Sequence, residues 1–422
     1  MAGYYSARGA TGVHDDLQAK AVVLEASGGR AALVVCDLIT MTRGVTDEAR
    51  ALIEKETGIA GERVMISATH SHTGPVIPSQ SSRDAALGGD GESALKYRRE
   101  LPLKIAEAVR RAAANLQPVT VLAGEGHVED LAFNRRYFMQ DGSVGWNPGK
   151  LNPKVVKPAG LTDPRLPVVS FATPRGKPLA AYVNFAMHLD TVGGTEISAD
   201  YAGSLSATLE KVQGAGYLTI FSIGTAGDIN HLDVHWRDPQ KGQAEAARIA
   251  TILAGQVLQT LKHAGAVGAG RLHAARETVP LPLAKVSEAE VARARELAAQ
   301  YGTKAPPKFI DSVFAFKALD VSDRGGRPLE AEVQVIALGS EVAWVALPGE
   351  IFVELGLAIQ KASPFPHTVL VELANGSVGY VPSRSAYPQG NYEVISARCG
   401  VGSGELLVES AIRLLKKLHD EK

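Results

Sequence analysis

The 422-residue chain predicts an α/β fold, a large layered mixed-sheet domain with helices on its outer faces. Three observations point that way. Short β-branched runs alternate with amphipathic helical stretches along most of the chain. The length exceeds what one compact core usually absorbs, which leaves material for several layers or for two lobes sharing an interface. No internal repeat, low-complexity tract or heptad seam interrupts the alternation.

In order, "KAVVLEA" and "AALVVCDL" read as strands, 46–57 as an amphipathic helix, and "RVMISAT" as another strand. A helix follows over 94–115, kinked or restarted at Pro102 and ending before Pro118. Strands are expected near 119–129, 166–172 and 179–187, with the Gly-, Pro- and Asn-rich stretch 134–160 as a long loop. Helices at 200–213 and 240–262 flank the strand "YLTIFSIG". The last third predicts strands at 271–279, 314–320, 331–338 and 341–347, helices at 286–300, 350–361 and 404–418, and a loop over 375–394. The segment "TKAPPKFI" at 303–310 is the best boundary between an N-terminal lobe, 1–302, and a C-terminal lobe, 303–422.

A net charge of -1, with 45% hydrophobic and 21% charged residues, gives no attraction for nucleic acid or anionic lipid. The two cysteines, Cys36 and Cys399, are too few for a disulfide framework or a thiolate site and read as small buried residues. The stretches 64–82 and 212–227 lack Asp, Glu, Lys and Arg, but neither reads as a transmembrane helix. No signal peptide is visible at Met1. As written, the chain is expected to be soluble and cytoplasmic; a leader missing from the sequence would make it periplasmic or secreted, so the compartment stays open, as does the oligomeric state.

Four features carry metal-site or catalytic composition. In "ISATHSHTGP", His70 and His72 follow a strand, where loops of α/β sheets carry ligands. Alternate residues of an extended strand face opposite ways, so both imidazoles meet one ion only if the backbone turns, and Gly74-Pro75 makes a turn plausible. One ligand beside one proton carrier fits equally well, and so does a satisfied pair of loop histidines. His188 closes the apolar run "AYVNFAMH" and reads by itself as a hydrogen-bonded core residue. "FSIGTAGDIN" is a strand running into Gly224, Gly227, Asp228 and Asn230. Glu350 in "LPGEIF" is explained by a helix dipole or by a metal needing a hard oxygen ligand. Together these are the imidazoles and carboxylate of a hydrolytic zinc centre with a position left for water. Asp37 and Asp228, at strand ends, are candidates for orienting such histidines, against ordinary loop capping.

The motifs resemble the neutral, non-lysosomal ceramidase family in sequence and in order. "ISATHSHTGP" is similar to its "ATHTHSGP", "FNRRY" to its "NRS" segment, and "NFAMHLDTVGG…SADYAG" to its "FAVHGTS…SGDNKG". "GTAGDIN" is similar to its "NVGDVSPN", "LPGEIF" to its "VPGEFT", and "GYVPSRSAYPQGNYEV" to its "GYVTT…QYEGA". The resemblance spans 12–394 and implies a ceramidase-like catalytic domain with Zn2+ held by His70, His188, Glu350 and Tyr392, the last two supplied by the C-terminal lobe. It implies that His72 lies beside the water that the zinc activates and that Arg135 binds the substrate carbonyl or the product carboxylate. Asn134, Asn230 and Tyr380, in the matching segments, would line the substrate site.

The resemblance implies hydrolysis of a linear amide of the N-acyl amine type. Departures from the pattern point away from ceramide itself. Asn230 stands where the family has a serine sometimes proposed as nucleophile, no tyrosine follows Tyr392, no immunoglobulin-like domain follows the helix at 404–418, and aromatics make up only 6% of the chain. A shorter, soluble relative acting on a smaller or more polar amide is expected. An esterase or lactonase on the same zinc site, or a ligand-binding relative without turnover, are the competing readings.

Overall fold

A computed structural model describes residues 1–79, 82–268, 270–301 and 303–421. Strands β1 (Ala19–Ala26) and β2 (Gly29–Cys36) form a hairpin, and β2 pairs in parallel with β3 (Val64–Ala68). The crossover between them is α1 (Arg43–Thr57), whose cap residue Thr42 accepts the Val45 N–H. Next, α2 (Glu92–Ala114) continues through Pro102 without a break. Strands β4 (Thr120–His127), β5 (Arg165–Ala172), β6 (Pro178–Phe185) and β7 (Leu218–Ile223) pair in the order β7-β6-β5-β4, with α3 (Asp200–Gln213) and α4 (Gln243–His263) in the connections around β7.

A four-stranded sheet follows, of β8 (Leu272–Leu281), β9 (Leu329–Leu338), β10 (Val342–Ala346) and β11 (His367–Val371) in that order. Between β8 and β9 the hairpin of α5 (Glu288–Gln300) and α6 (Phe309–Asp323) is inserted; α7 (Val353–Ala362) follows β10, and α8 (Ser403–Asp420) comes last.

Strand alternation sorts the core into layers. Val34, Ile66, Val183 and Phe221 cluster with Ile53, Ile105, Leu205 and Leu253 of α1 to α4. Their neighbours Val35, Met65, Tyr182 and Ile220 cluster with Ile336, Trp344 and Val369 of the second sheet. The other face of that sheet, through Val335, Val345 and Leu370, meets Leu355 and Ile359 of α7 and Leu415 of α8. The result is helix, sheet, sheet, helix, the layered α/β arrangement that the sequence predicts.

Three local expectations are corrected. The expected strand at 314–320 is the middle of α6: Ala315 and Ala318 pack on Ala294 of α5, so small residues at helical spacing let the two helices approach closely. The expected loop 134–160 contains a small sheet of Arg136–Met139, Val144–Trp146 and Val155–Pro158, turned at Asp141-Gly142, where Gly142 has φ 81°. An Asp-Gly hairpin signal was there to be read. The expected helix at 350–361 starts at Val353, while Glu350 and Ile351 are extended and pair with Tyr380 and Val381. Across the segment 303–310, β8 and β9 pair from Leu272 opposite Leu338 to Leu281 opposite Leu329. Residue 302, the end of the expected N-terminal lobe, lies outside the described residues.

One buried charge ties layers together. Glu332 of β9, 1% exposed, meets Arg50 at 2.8 Å, Arg276 at 2.9 Å and Arg43 at 3.2 Å. Arg50 also donates to the Val64 carbonyl, so α1, β3 and the second sheet share one clamp. Removing one partner of a buried pair leaves an uncompensated charge. Urea denaturation of Glu332→Ala should show a loss of ~3–5 kcal/mol, whereas Arg43→Ala, at a partly exposed arginine, should cost under ~1 kcal/mol. Equal costs for the two would contradict the clamp.

Candidate metal centre

The chain ends that follow β3, β6, β7 and β10 come together. His70, two residues beyond β3, is left-handed at φ 78°, a conformation rare outside glycine. Its N–H donates to Leu38 O at 2.8 Å, and its Nδ1 lies 2.7 Å from Ile39 O. The turn that the His-x-His pair requires therefore falls at His70 itself, and the strain is held by these two bonds. As a result the Nε2 atoms of His70 and His72 are 3.2 Å apart. His188 enters from beyond β6, with Nδ1 2.8 Å from Ala226 O.

Both rings aim Nε2 at one carboxylate oxygen. Glu350 Oε2 lies 3.3 Å from His188 Nε2 and 3.5 Å from His70 Nε2. Beyond this contact with each other, His188 Nε2 and Glu350 Oε2 are buried and make no well-aligned hydrogen bond among the described residues. Buried polar atoms are normally satisfied, and a divalent cation would satisfy these. The ring nitrogens of His70, His72 and His188 lie within 4.8 Å of one another. His188 thus has one ring nitrogen on a backbone carbonyl and the other facing Glu350, which lies in an extended segment before α7.

Charge states fit a cation site. Burial, with Arg135 and His70 adding to it, holds the His188 imidazole well below its ordinary value. Burial also brings His72 down to about 4, against the pull of Asp190. Both rings are neutral at neutral pH, the form that ligates or accepts a proton. Burial alone would raise the Glu350 carboxyl, but His70 and His188 hold it below the usual carboxylate range.

Arg135 lies alongside, 5% exposed. Its Nε donates to Glu393 Oε1 at 2.8 Å, and its Nη2 donates to Gly227 O at 2.7 Å and to the Tyr380 hydroxyl at 3.0 Å. Among the described residues, Nη1 donates no hydrogen bond. Tyr380 adds to the groups that hold the Glu350 carboxyl down. Tyr392 opens a short helix, Tyr392–Ser396, capped by Asn391; its ring lies 5.4 Å from that of Tyr380 and 4.6 Å from that of Trp146. Burial, with Tyr5 and Glu350 adding, raises its hydroxyl above the ordinary range.

The remaining expected residues are occupied elsewhere. Asn134 donates to Asp228 Oδ2 at 2.7 Å and lines a cavity of about 370 Å³ that contains none of the three histidines. Asn230 donates to Asn147 and accepts from the Leu232 N–H. Asp37 accepts from Gln18 N, and Asp228 accepts from Val353 N at the start of α7. The acceptors that orient His70 and His188 are backbone carbonyls, so these two aspartates do not fill that place. Burial pushes both carboxyls up to about 6.

Sequence reasoning missed the groups that hold the site's loops. Glu393, fully buried, binds Arg135 and Arg136, and its signal was its place beside Tyr392 in "NYEV". Asp200 accepts the N–H groups of Thr191 and Val192 and so closes the loop after His188; its "SADYAG" context was visible. Glu372 accepts from Ala226 N and Ile351 N, joining the chains beside His188 and Glu350, and no local pattern marked it.

The model of the neutral/alkaline non-lysosomal ceramidase N-terminal domain matches residues 1–230. Among solved structures, the chain is similar to neutral ceramidase from Pseudomonas aeruginosa, at 22% identity and a TM-score of 0.76, over 100% of this chain and 73% of that one. A ceramidase complexed with C2 is similar at 21% identity and a TM-score of 0.75, with the same coverage. At these identities the likeness is one of fold. No curated protein matches the chain.

Burial pushes the Glu372 carboxyl well above its ordinary value of 4.5. It stays protonated in the folded chain while the unfolded chain ionises, so folding loses stability at this group as pH rises past that value. Glu372→Gln, neutral throughout, should gain on the wild type in thermal melts as pH goes from 5 to 8. Glu372→Leu strips the acceptor from two buried N–H groups, at ~1–3 kcal/mol each. A glutamine variant that loses ground with rising pH would show that the carboxyl is ionised in the fold.

Proposed function

The chain belongs to the neutral/alkaline non-lysosomal ceramidase family, and on that premise we propose that it is a zinc-dependent hydrolase cleaving a linear amide of the N-acyl amine type. The observation that carries the reading is the meeting of His70 and His188 on Glu350 Oε2, with His188 Nε2 and Glu350 Oε2 buried and without a well-aligned hydrogen bond among the described residues. His70, His188, Glu350 and Tyr392 would hold the zinc. A bound zinc supplies a Lewis acid for the scissile carbonyl and a water whose pKa is lowered to about 7.

The chain's own groups perform the rest. Neutral His72 accepts the proton of the attacking water at Nε2 and returns it to the leaving nitrogen. Arg135, fixed by Glu393, Gly227 O and Tyr380, offers Nη1 to the oxygen that gains charge, and its hydrogen bonds are made before the substrate arrives. Tyr380 is assigned to the substrate site beside it, whereas Asn134 and Asn230, whose polar atoms are engaged, act by holding the loops. His70 and His188 side chains are 3% and 2% exposed, His72 and Glu350 11% and 15%, so substrate approaches from the side of the latter two. Trp146, Phe309 and Tyr392 form an aromatic wall beside Tyr380, with ring centroids 4.6 to 5.4 Å apart, suited to an acyl group. Residues 303–422 complete the site through Phe309, Glu350, Tyr380 and Tyr392. Among the described residues, no helix is long and apolar enough to cross a membrane.

Elemental analysis beside turnover of short- and long-chain N-acyl amines tests the reading. Wild type should carry about one zinc per chain, and His188→Ala should lose it. His72→Ala should keep zinc while kcat falls by roughly 10²–10⁴. Unchanged turnover in His72→Ala would overturn its role as proton carrier, and hydrolysis confined to ester analogues would overturn the amidase assignment.

A further inference from the structure

The His72 ring has two ends, and only Nε2 faces the proposed metal ligands. Nδ1 is buried and, among the described residues, makes no hydrogen bond. Asp190 Oδ1 stands 3.7 Å from it. The same Oδ1 accepts a hydrogen bond from the Tyr4 hydroxyl, and the Tyr4 ring packs edge-on against His72 with centroids 5.5 Å apart. Arg8 lies 4.3 Å over the Tyr4 ring and donates to the His72 carbonyl at 2.9 Å. Gly3, at φ 108°, passes so close that a Cβ there would fall 2.5 Å from the His72 carbonyl oxygen. Gly3, Tyr4 and Arg8 are therefore pressed onto the backbone and the ring of His72. In the signature "FAVHGTS" a threonine stands where this chain has Asp190.

We infer that Asp190 and Tyr4 are positioning residues for His72. A neutral imidazole carries one proton, and whichever nitrogen holds it cannot accept another. An acceptor carboxylate at Nδ1 selects the Nδ1–H tautomer and leaves the Nε2 lone pair facing the attacking water. Tyr4 fixes Asp190 by donating to it, and the Gly3–Arg8 segment keeps the Tyr4 ring against the imidazole. The gap of 3.7 Å is longer than a hydrogen bond, and such contacts tighten once substrate is bound. When His72 takes its proton the imidazolium sits between Asp190 and the leaving nitrogen, and that proton then passes to the nitrogen from Nε2. The inference rests on the reading of His72 as proton carrier.

The test uses zinc-loaded protein labelled with 15N-histidine, with the His72 signals identified by their loss in His72→Gln. Wild type should show His72 as the Nδ1–H tautomer, and Asp190→Asn should shift it toward Nε2–H. In steady-state assays Asp190→Asn should lower kcat about 10- to 100-fold with KM within about twofold and zinc content unchanged, and Tyr4→Phe should show a smaller effect of the same kind. An Nε2–H tautomer in the wild type, or no change of tautomer in Asp190→Asn, would overturn the inference whatever the activity. Absence of amide turnover in a wild type that shows the Nδ1–H tautomer would instead sink the hydrolase reading and leave the positioning pair standing.

Discussion

Two imidazoles and a carboxylate aimed at one point, out of reach of bulk water, set the constraint on which the rest of this structure depends. His70 Nε2 and His188 Nε2 come to 3.5 and 3.3 Å from Glu350 Oε2 although the three residues belong to separate parts of the chain. Buried polar atoms without partners are costly. The surroundings must therefore over-determine the position of each ligand. Ile39 O and Ala226 O fix the two rings, and His70 accepts a left-handed backbone to reach its place. At Gly227 a Cβ would fall 2.5 Å from Glu350 O, so the loop after β7 lies directly on the strand that carries the carboxylate.

Buried carboxyl groups do in this protein what ladder hydrogen bonds do in a sheet. The segments that carry the candidate ligands leave their strands before the site and so lose their pairing partners, yet their N–H groups stay buried. Asp200 takes those of Thr191 and Val192, Glu372 those of Ala226 and Ile351, and Asp228 that of Val353. Burial raises all three carboxyls above their ordinary values. Glu393 differs, because it is flanked by Arg135 and Arg136 and serves charge rather than loop closure. Asn134 joins this set to the arginine pair, since it donates to Asp228 and is followed in sequence by Arg135 and Arg136.

The layered α/β architecture was legible because β-branched runs and amphipathic helices carry their own periods, as Ala32 to Cys36 and Ile53 on α1 show. The short motifs around His70, His188 and Glu350 were legible as chemistry but not as geometry. The turn at His70 is fixed by carbonyls of the preceding connection, Leu38 and Ile39, and no local residue type announces it. Segment 314–320 reads as a strand from its apolar composition and becomes a helix because Ala315 and Ala318 meet Ala294 across a hairpin. Long-range partners such as Tyr4 with Asp190, or Glu372 with Ala226, leave no mark in a local pattern, since each depends on elements far apart in the chain.

The most direct test of the account is diffraction from crystals of the zinc-loaded protein at energies on either side of the zinc absorption edge. The account predicts one anomalous peak, bonded to His70, His188, Glu350 and Tyr392, with His72 facing it from outside the ligand set. A peak held by His72 in place of Tyr392 or Glu350, or no peak between the histidines, would contradict it.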